Sequence, residues 1–241
     1  MGMSVIIISP INAVQYDPPW ADDYTTVDSS LNGTPQVIYA SNIQETIGYN
    51  ATYYIDQGAG YAYNRMSDDA IFFVDAHGAA RNENFTDGYS IVVFYDIETN
   101  NTSYLIGDYY PIEWDRPSYF LSNFTTELED VLLAVYLSCW SGRDDPLISN
   151  LPYVSYNKGV DNSIGFTRAI VTTHAAYWSD RFWERCYNGS NGQPQRIKNA
   201  NEGAKLDTWL EFGGAEDIWY QRLYYRVAYS DYISPASYGV T

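Results

Sequence analysis

Two short apolar runs, each ending in a residue able to do chemistry, constrain this chain more than any other feature. The first is Ile71-Phe72-Phe73-Val74-Asp75-Ala76, followed at once by His77-Gly78. The second is Val131-Leu132-Leu133-Ala134-Val135-Tyr136-Leu137-Ser138, followed by Cys139 and then Trp140-Ser141-Gly142. Short apolar runs rich in β-branched and aromatic residues read as buried strands of a parallel sheet. In open α/β sheets, ligands bind beyond the carboxyl ends of the strands. Two such strands side by side bring an imidazole and a thiol to one edge, which is a nucleophile beside a base.

The remaining chain alternates strand and helix signals. Residues 10–34 are rich in Pro, Asp, Thr, Ser and Gly and read as an irregular arm that closes with the turn Asn32-Gly33-Thr34-Pro35. Gln36 to Ala40 reads as a short strand, and Ser41-Asn42 as the cap of a helix starting near Ile43. Gly58 to Met66 is a weak helix. Tyr89–Asp96 and Thr102–Gly107, around the polar turn Glu98-Thr99-Asn100-Asn101, form a β-hairpin. Leu147 to Lys158 suits a helix closed by Gly159. Ser163–Arg168 is a strand, Thr173–Cys186 and Ile197–Leu210 are helices, and the stretch from Ile218 to Tyr229 alternates as a strand does. This pattern implies an α/β layer fold on a mainly parallel sheet. The expected organisation is an irregular N-terminal arm over 1–34 and one α/β domain over 35–241.

Composition narrows the function. A net charge of -17 across 241 residues argues against nucleic acid, which asks for a basic face. An acidic surface serves solubility, basic substrates or divalent cations. No apolar stretch is long enough to span a membrane. The two cysteines, Cys139 and Cys186, make no disulfide framework. The opening Met1 to Pro10 is readable as a first strand, a signal remnant or a start added in cloning. Asn-x-Ser/Thr triplets begin at Asn32, Asn50, Asn84, Asn100, Asn101, Asn123 and Asn188. Such acceptors fit surface loops of an exported, extracellular or cell-surface protein.

An apolar block ending in His-Gly, a hairpin, and a second apolar block ending in Cys resembles the caspase-like cysteine peptidases, a group that includes caspases, metacaspases, legumain, gingipains, clostripain and separase. The stretch Lys158 to Arg168, followed by the helix with Trp178, Phe182 and Trp183, is similar to the region after the nucleophile in prokaryotic members. The likeness spans about residues 36–210. Around the cysteine this chain has Ser138-Cys139-Trp140-Ser141-Gly142, not the Gln-Ala-Cys-x-Gly of caspases, so Asp-specific cleavage is not expected.

The resemblance implies a three-layer α/β/α sandwich on a roughly six-stranded, mainly parallel caspase-like sheet with a β-hairpin insertion. It implies Cys139 as nucleophile, His77 as acid/base, and backbone N–H groups of Gly78 and Cys139 as the oxyanion hole. The pocket for the residue before the cleaved bond is expected between the Cys strand and the next. Its candidates are Asp75, Asp144, Asp145 and Arg168. Carboxylates there favour Arg or Lys and Arg168 favours acidic residues; the net charge leans to basic ones. No cofactor is required, and Asp-rich turns leave calcium open, although no EF-hand pattern occurs. His174 reads as a surface or capping residue, and Cys186 as core. The expected partner is a peptide or protein substrate, with self-assembly as a further option. The rival function is a non-enzymatic surface glycoprotein or assembly subunit on the same fold, and a transpeptidase is a third.

Overall fold

Both apolar runs are strands at the centre of the sheet, as their composition dictates. The computed structural model describes residues 19–78, 90–108, 116–125, 128–143, 149–189, 191–226 and 232–233. Its main sheet contains β1 (Trp20–Thr25), β2 (Asn50–Ile55), β3 (Asp69–Asp75), β8 (Leu133–Leu137), β9 (Asn162–Phe166) and β10 (Gln221–Tyr225). The spatial order is β2-β1-β3-β8-β9-β10, parallel except for β10, which runs antiparallel to β9. A second sheet holds β4 (His77–Gly78), β5 (Ile91–Asp96), β6 (Asn101–Ile106) and β7 (Ser118–Phe120) in that order. The expected hairpin is therefore the middle of a four-stranded sheet.

The helices cover both faces. On one face, α1 (Thr34–Ile47), α4 (Thr172–Tyr187) and α5 (Ile197–Glu211) pack Val37, Ala40, Trp178, Phe182, Trp183 and Ala200 onto Ile71, Phe73, Leu133 and Val135. On the other, α2 (Ala59–Arg65), α3 (Leu151–Asn157) and the second sheet pack Ala62, Leu151, Val92, Phe94 and Leu105 onto Phe72, Val74, Ala134 and Tyr136. Odd and even positions of β3 and β8 thus feed different layers, which is why both strands are apolar throughout. On α4, Trp178 and Phe182 stack at 5.2 Å, and Trp183 meets Phe73 edge-on at 5.4 Å. Together these layers form an α/β/α sandwich of caspase-like type.

The structure departs from the sequence expectations at three places. β1 lies within the stretch expected to be an irregular arm, and it pairs on both sides with β2 and β3. Its two carboxylates are buried with partners: Arg65 Nε lies 2.6 Å from Asp22 Oδ2, and Gln44 Nε2 donates to Asp23 Oδ1 at 2.9 Å. The expected strand at Gln36–Ala40 is instead the start of α1. Pro35 sits in its first turn, where a missing N–H costs nothing, and Val37, Ala40, Ile43 and Gln44 recur at helical spacing on the buried face. The helix expected over 147–158 is the shorter α3, which Asn150 caps by accepting from Tyr153 N at 2.8 Å.

Candidate active site

His77 and Cys139 each stand two residues past the last paired position of adjacent parallel strands, where Asp75 of β3 faces Leu137 of β8. Ala76 N donates to Leu137 O at 3.3 Å and carries the alignment one residue beyond the ladder. There the chain leaves the main sheet, and His77-Gly78 pairs with Val92-Val93 of the second sheet. Gly78 lies directly on the backbone of Cys139. A Cβ at 78 would fall inside the van der Waals shell of the Cys139 carbonyl oxygen, so only glycine fits.

The turn after Cys139 is pinned on every side. Trp140 takes left-handed backbone at φ 60°. Trp140 N donates to Arg168 O at 3.1 Å and Gly142 N to Phe166 O at 2.9 Å. The Ser141 hydroxyl lies 2.8 Å from the carbonyls of both Tyr136 and Ser138 and accepts from Phe166 N at 3.0 Å. Trp140 N is thereby spent on the fold.

The thiol is half-buried and faces the strap after β9. Ile170 N donates to Cys139 Sγ at 3.3 Å, and Ile170 O lies 3.9 Å from the sulfur. Burial pushes the Cys139 thiol up; the Ile170 N–H works against this, and the carboxylates of Asp217 and Asp75 add to it. The resting sulfur is therefore a thiol at neutral pH and needs a base to react. The strap is held by Asp217, whose Oδ2 accepts from Val171 N at 2.8 Å while its Oδ1 lies 2.8 Å from His174 Nδ1. The His174 ring lies against Phe212, tilted by 46° at 4.5 Å between ring centres.

The imidazole of His77 has other partners. Its Nε2 lies 3.0 Å from Asp28 Oδ2 and 3.1 Å from Ser30 Oγ, on the loop after β1. No hydrogen bond joins the ring to the sulfur in this state. Catalytic hydrogen bonds in unliganded sites commonly form only once substrate is seated.

A cavity of about 150 Å³ opens at the carboxyl end of β3, lined by Leu31, Asn32, Gln36, Asp75, Thr172 and Ala175 among others. Asp75 is 4% exposed, and burial reinforced by Asp180 raises its carboxyl to about 7. Asp180 itself is raised to about 6, by burial and then by Glu184. Gly33, at the start of α1, leaves room for this carboxyl, since a Cβ there would lie 2.6 Å from Asp75 Oδ2. Arg168 is exposed and stacks on Tyr220 with its guanidinium carbon 3.6 Å from the ring centre. Asp144 and Asp145 lie outside the described residues.

Both cysteines are free, and Cys186 is buried on α4, where burial raises its thiol strongly. Of the glycosylation candidates, Asn32, Asn50, Asn100, Asn101, Asn123 and Asn188 are exposed, and Asn84 lies outside the described residues. Among the described residues, no group of three or more His, Cys, Asp or Glu is arranged to hold a metal, and no helix is long and apolar enough to cross a membrane. The residues that sequence reasoning missed are Asp28, Ser30, Ile170, Asp180 and Asp217. Only Asp28-Ser29-Ser30 carried a signal, as a polar turn at the end of what proved to be β1.

No protein-family model and no curated protein matches the chain. Eight chains of solved structures do. One comes from the crystal structure of the Saccharomyces cerevisiae separase–securin complex, with 8% identity and a TM-score of 0.50 over 86% of this chain and 12% of that one. This chain thus spans a small part of that protein's length. At such identity the likeness shows the fold alone, and it is distantly that of the caspase-like group.

Proposed function

We propose that the protein is a cysteine endopeptidase in which Cys139 attacks a peptide carbonyl and His77 moves the proton. The observation that supports this is the placement of His77 and Cys139 two residues past the last paired positions of two adjacent parallel strands, with Gly78 laid on the Cys139 backbone. The thiol proton passes to the imidazole as sulfur adds to the carbonyl carbon. The backbone N–H groups of Gly78 and Cys139 hold the oxyanion, each contributing about 3 kcal/mol by analogy with other oxyanion holes. The protonated ring then gives its proton to the leaving amine, and water hydrolyses the acyl-enzyme.

The cavity at Asp75 supports a preference for Lys or Arg before the cleaved bond. A cationic side chain entering it brings Asp75 to its charged form and offsets the cost of ionising it. Arg168, stacked on Tyr220 outside the cavity, speaks against acidic substrates.

The test is labelling of Cys139 by a peptidyl acyloxymethyl ketone with Arg at its first position, in the unaltered protein and in His77→Ala. Labelling that disappears with His77→Ala supports the peptidase. An inert thiol, or labelling indifferent to His77, returns the chain to the second reading, a non-enzymatic surface glycoprotein. That reading draws on the six exposed sequons and on the thiol's resting contacts with Ile170.

A further inference from the structure

We propose that Asp28 is a positioning residue for His77, fixing the ring as the tautomer with hydrogen on Nε2 and leaving Nδ1 as the basic nitrogen. This rests on the peptidase reading for its purpose, but not for its geometry.

The loop after β1 is built to present one carboxylate oxygen. Asp28 Oδ1 accepts from Ser30 N at 2.6 Å, Ser30 Oγ at 2.9 Å and Leu31 N at 2.9 Å. Asp28 N donates back to Leu31 O at 2.9 Å, and the bridge between Val27 and Asn32 closes the loop. Val27 N is tied to Asp56 Oδ1 at 2.8 Å, which anchors the loop to the end of β2. With Oδ1 committed to three donors, the carboxylate cannot rotate, and Oδ2 is left for the ring at 3.0 Å. These donors, with the imidazole, keep Asp28 ionised by holding its carboxyl below the ordinary range despite some burial.

The hydrogen count then assigns the tautomer. The single hydroxyl hydrogen of Ser30 is spent on Asp28 Oδ1. Toward His77 Nε2, Ser30 Oγ can therefore only accept, as can Asp28 Oδ2. Two acceptors facing one ring nitrogen place the hydrogen on that nitrogen. In the neutral ring Nδ1 then carries the lone pair that takes the thiol proton. A buried carboxylate in this role is worth about four decades of rate in serine proteases. Here the side chains of His77 and Asp28 are 41% and 46% exposed, and solvent weakens the pair, so a loss of about tenfold to a hundredfold is expected.

The test substitutes Asp28→Asn, which keeps shape and lets its oxygen go on accepting from Ser30 N and Leu31 N. Its amide N–H₂ then faces Nε2. Long-range ¹⁵N–¹H correlation on ¹⁵N-histidine protein at pH ~9, above the ordinary imidazole range, reads the tautomer directly. The unaltered protein should show hydrogen on Nε2 for His77, and Asp28→Asn should move it to Nδ1. His174, whose Nδ1 faces Asp217, should hold hydrogen on Nδ1 in both and serves as the internal reference. Labelling of Cys139 should slow about tenfold to a hundredfold in Asp28→Asn and Asp28→Ala, with no further loss when either is added to His77→Ala. Hydrogen on Nδ1 of His77 in the unaltered protein, or a tautomer unmoved by Asp28→Asn, overturns the proposal. Absence of labelling in the unaltered protein overturns only the peptidase, because the tautomer is read without it.

Discussion

Replacing Asp75 by Asn should stabilise the protein at neutral and higher pH while weakening its hold on a basic substrate. The buried carboxyl sits at about 7 in the folded chain against an ordinary 3.8. Because the folded value is the higher one, the folded state keeps a proton that the unfolded chain gives up. Stability from this group is present below about pH 4, falls as pH rises through the interval to about 7, and is gone above it. That gap corresponds to about 4 kcal/mol. The amino terminus of α1, which begins beside Gly33, favours the charged form by about 0.3–1 kcal/mol, too little to reverse the effect of burial. Asp75→Asn has nearly the same shape and does not titrate. Urea unfolding from pH 5 to 8 should find the variant more stable by up to about 4 kcal/mol at pH 8, with a flatter dependence on pH. Asp23, Asp69 and Asp180, all raised by burial, give both proteins a residual slope, so the difference between the two curves reports Asp75. The same variant should lose preference for an Arg-bearing electrophile over a neutral one. Superimposable pH curves for the two proteins would refute the argument, since the carboxyl would then already be charged in the folded state.

Gly78→Ala drives a methyl group into the Cys139 carbonyl; it should cost about 1–3 kcal/mol in urea unfolding and abolish Cys139 labelling. Arg65→Met leaves Asp22, 1% exposed and close enough to Asp69 to raise it, without its cation; thermal unfolding should show a loss of about 3 kcal/mol. Cys186→Ala removes a sulfur that is 2% exposed in the core; it should cost about 1–2 kcal/mol and leave labelling unchanged, as peptide mapping of the adduct would verify.

The central strands were legible because β3 and β8 are apolar on both faces, and α4 because Trp178, Phe182 and Cys186 repeat at helical spacing. β1 was hidden because Trp-Ala-Asp-Asp-Tyr-Thr carries two residues that strands usually avoid. Nothing local reveals that Arg65 and Gln44 arrive from elsewhere to receive them. α1 was hidden because Val37-Ile38-Tyr39 favours strand, and only the buried face presented to β1 and β3 settles the matter. His77 and Cys139 could be singled out because they end apolar runs. Their surroundings could not: Asp28, Ile170 and Asp217 come from three separate connections, and their meeting is a product of strand order.

The ring and the sulfur belong to different sheets. His77 is carried by the smaller one, whereas Cys139 extends the larger. The gap between them therefore depends on how Val92, Phe94 and Leu105 seat against Phe72 and Tyr136. Trimming that seam would shift the ring relative to the sulfur without altering a single polar group.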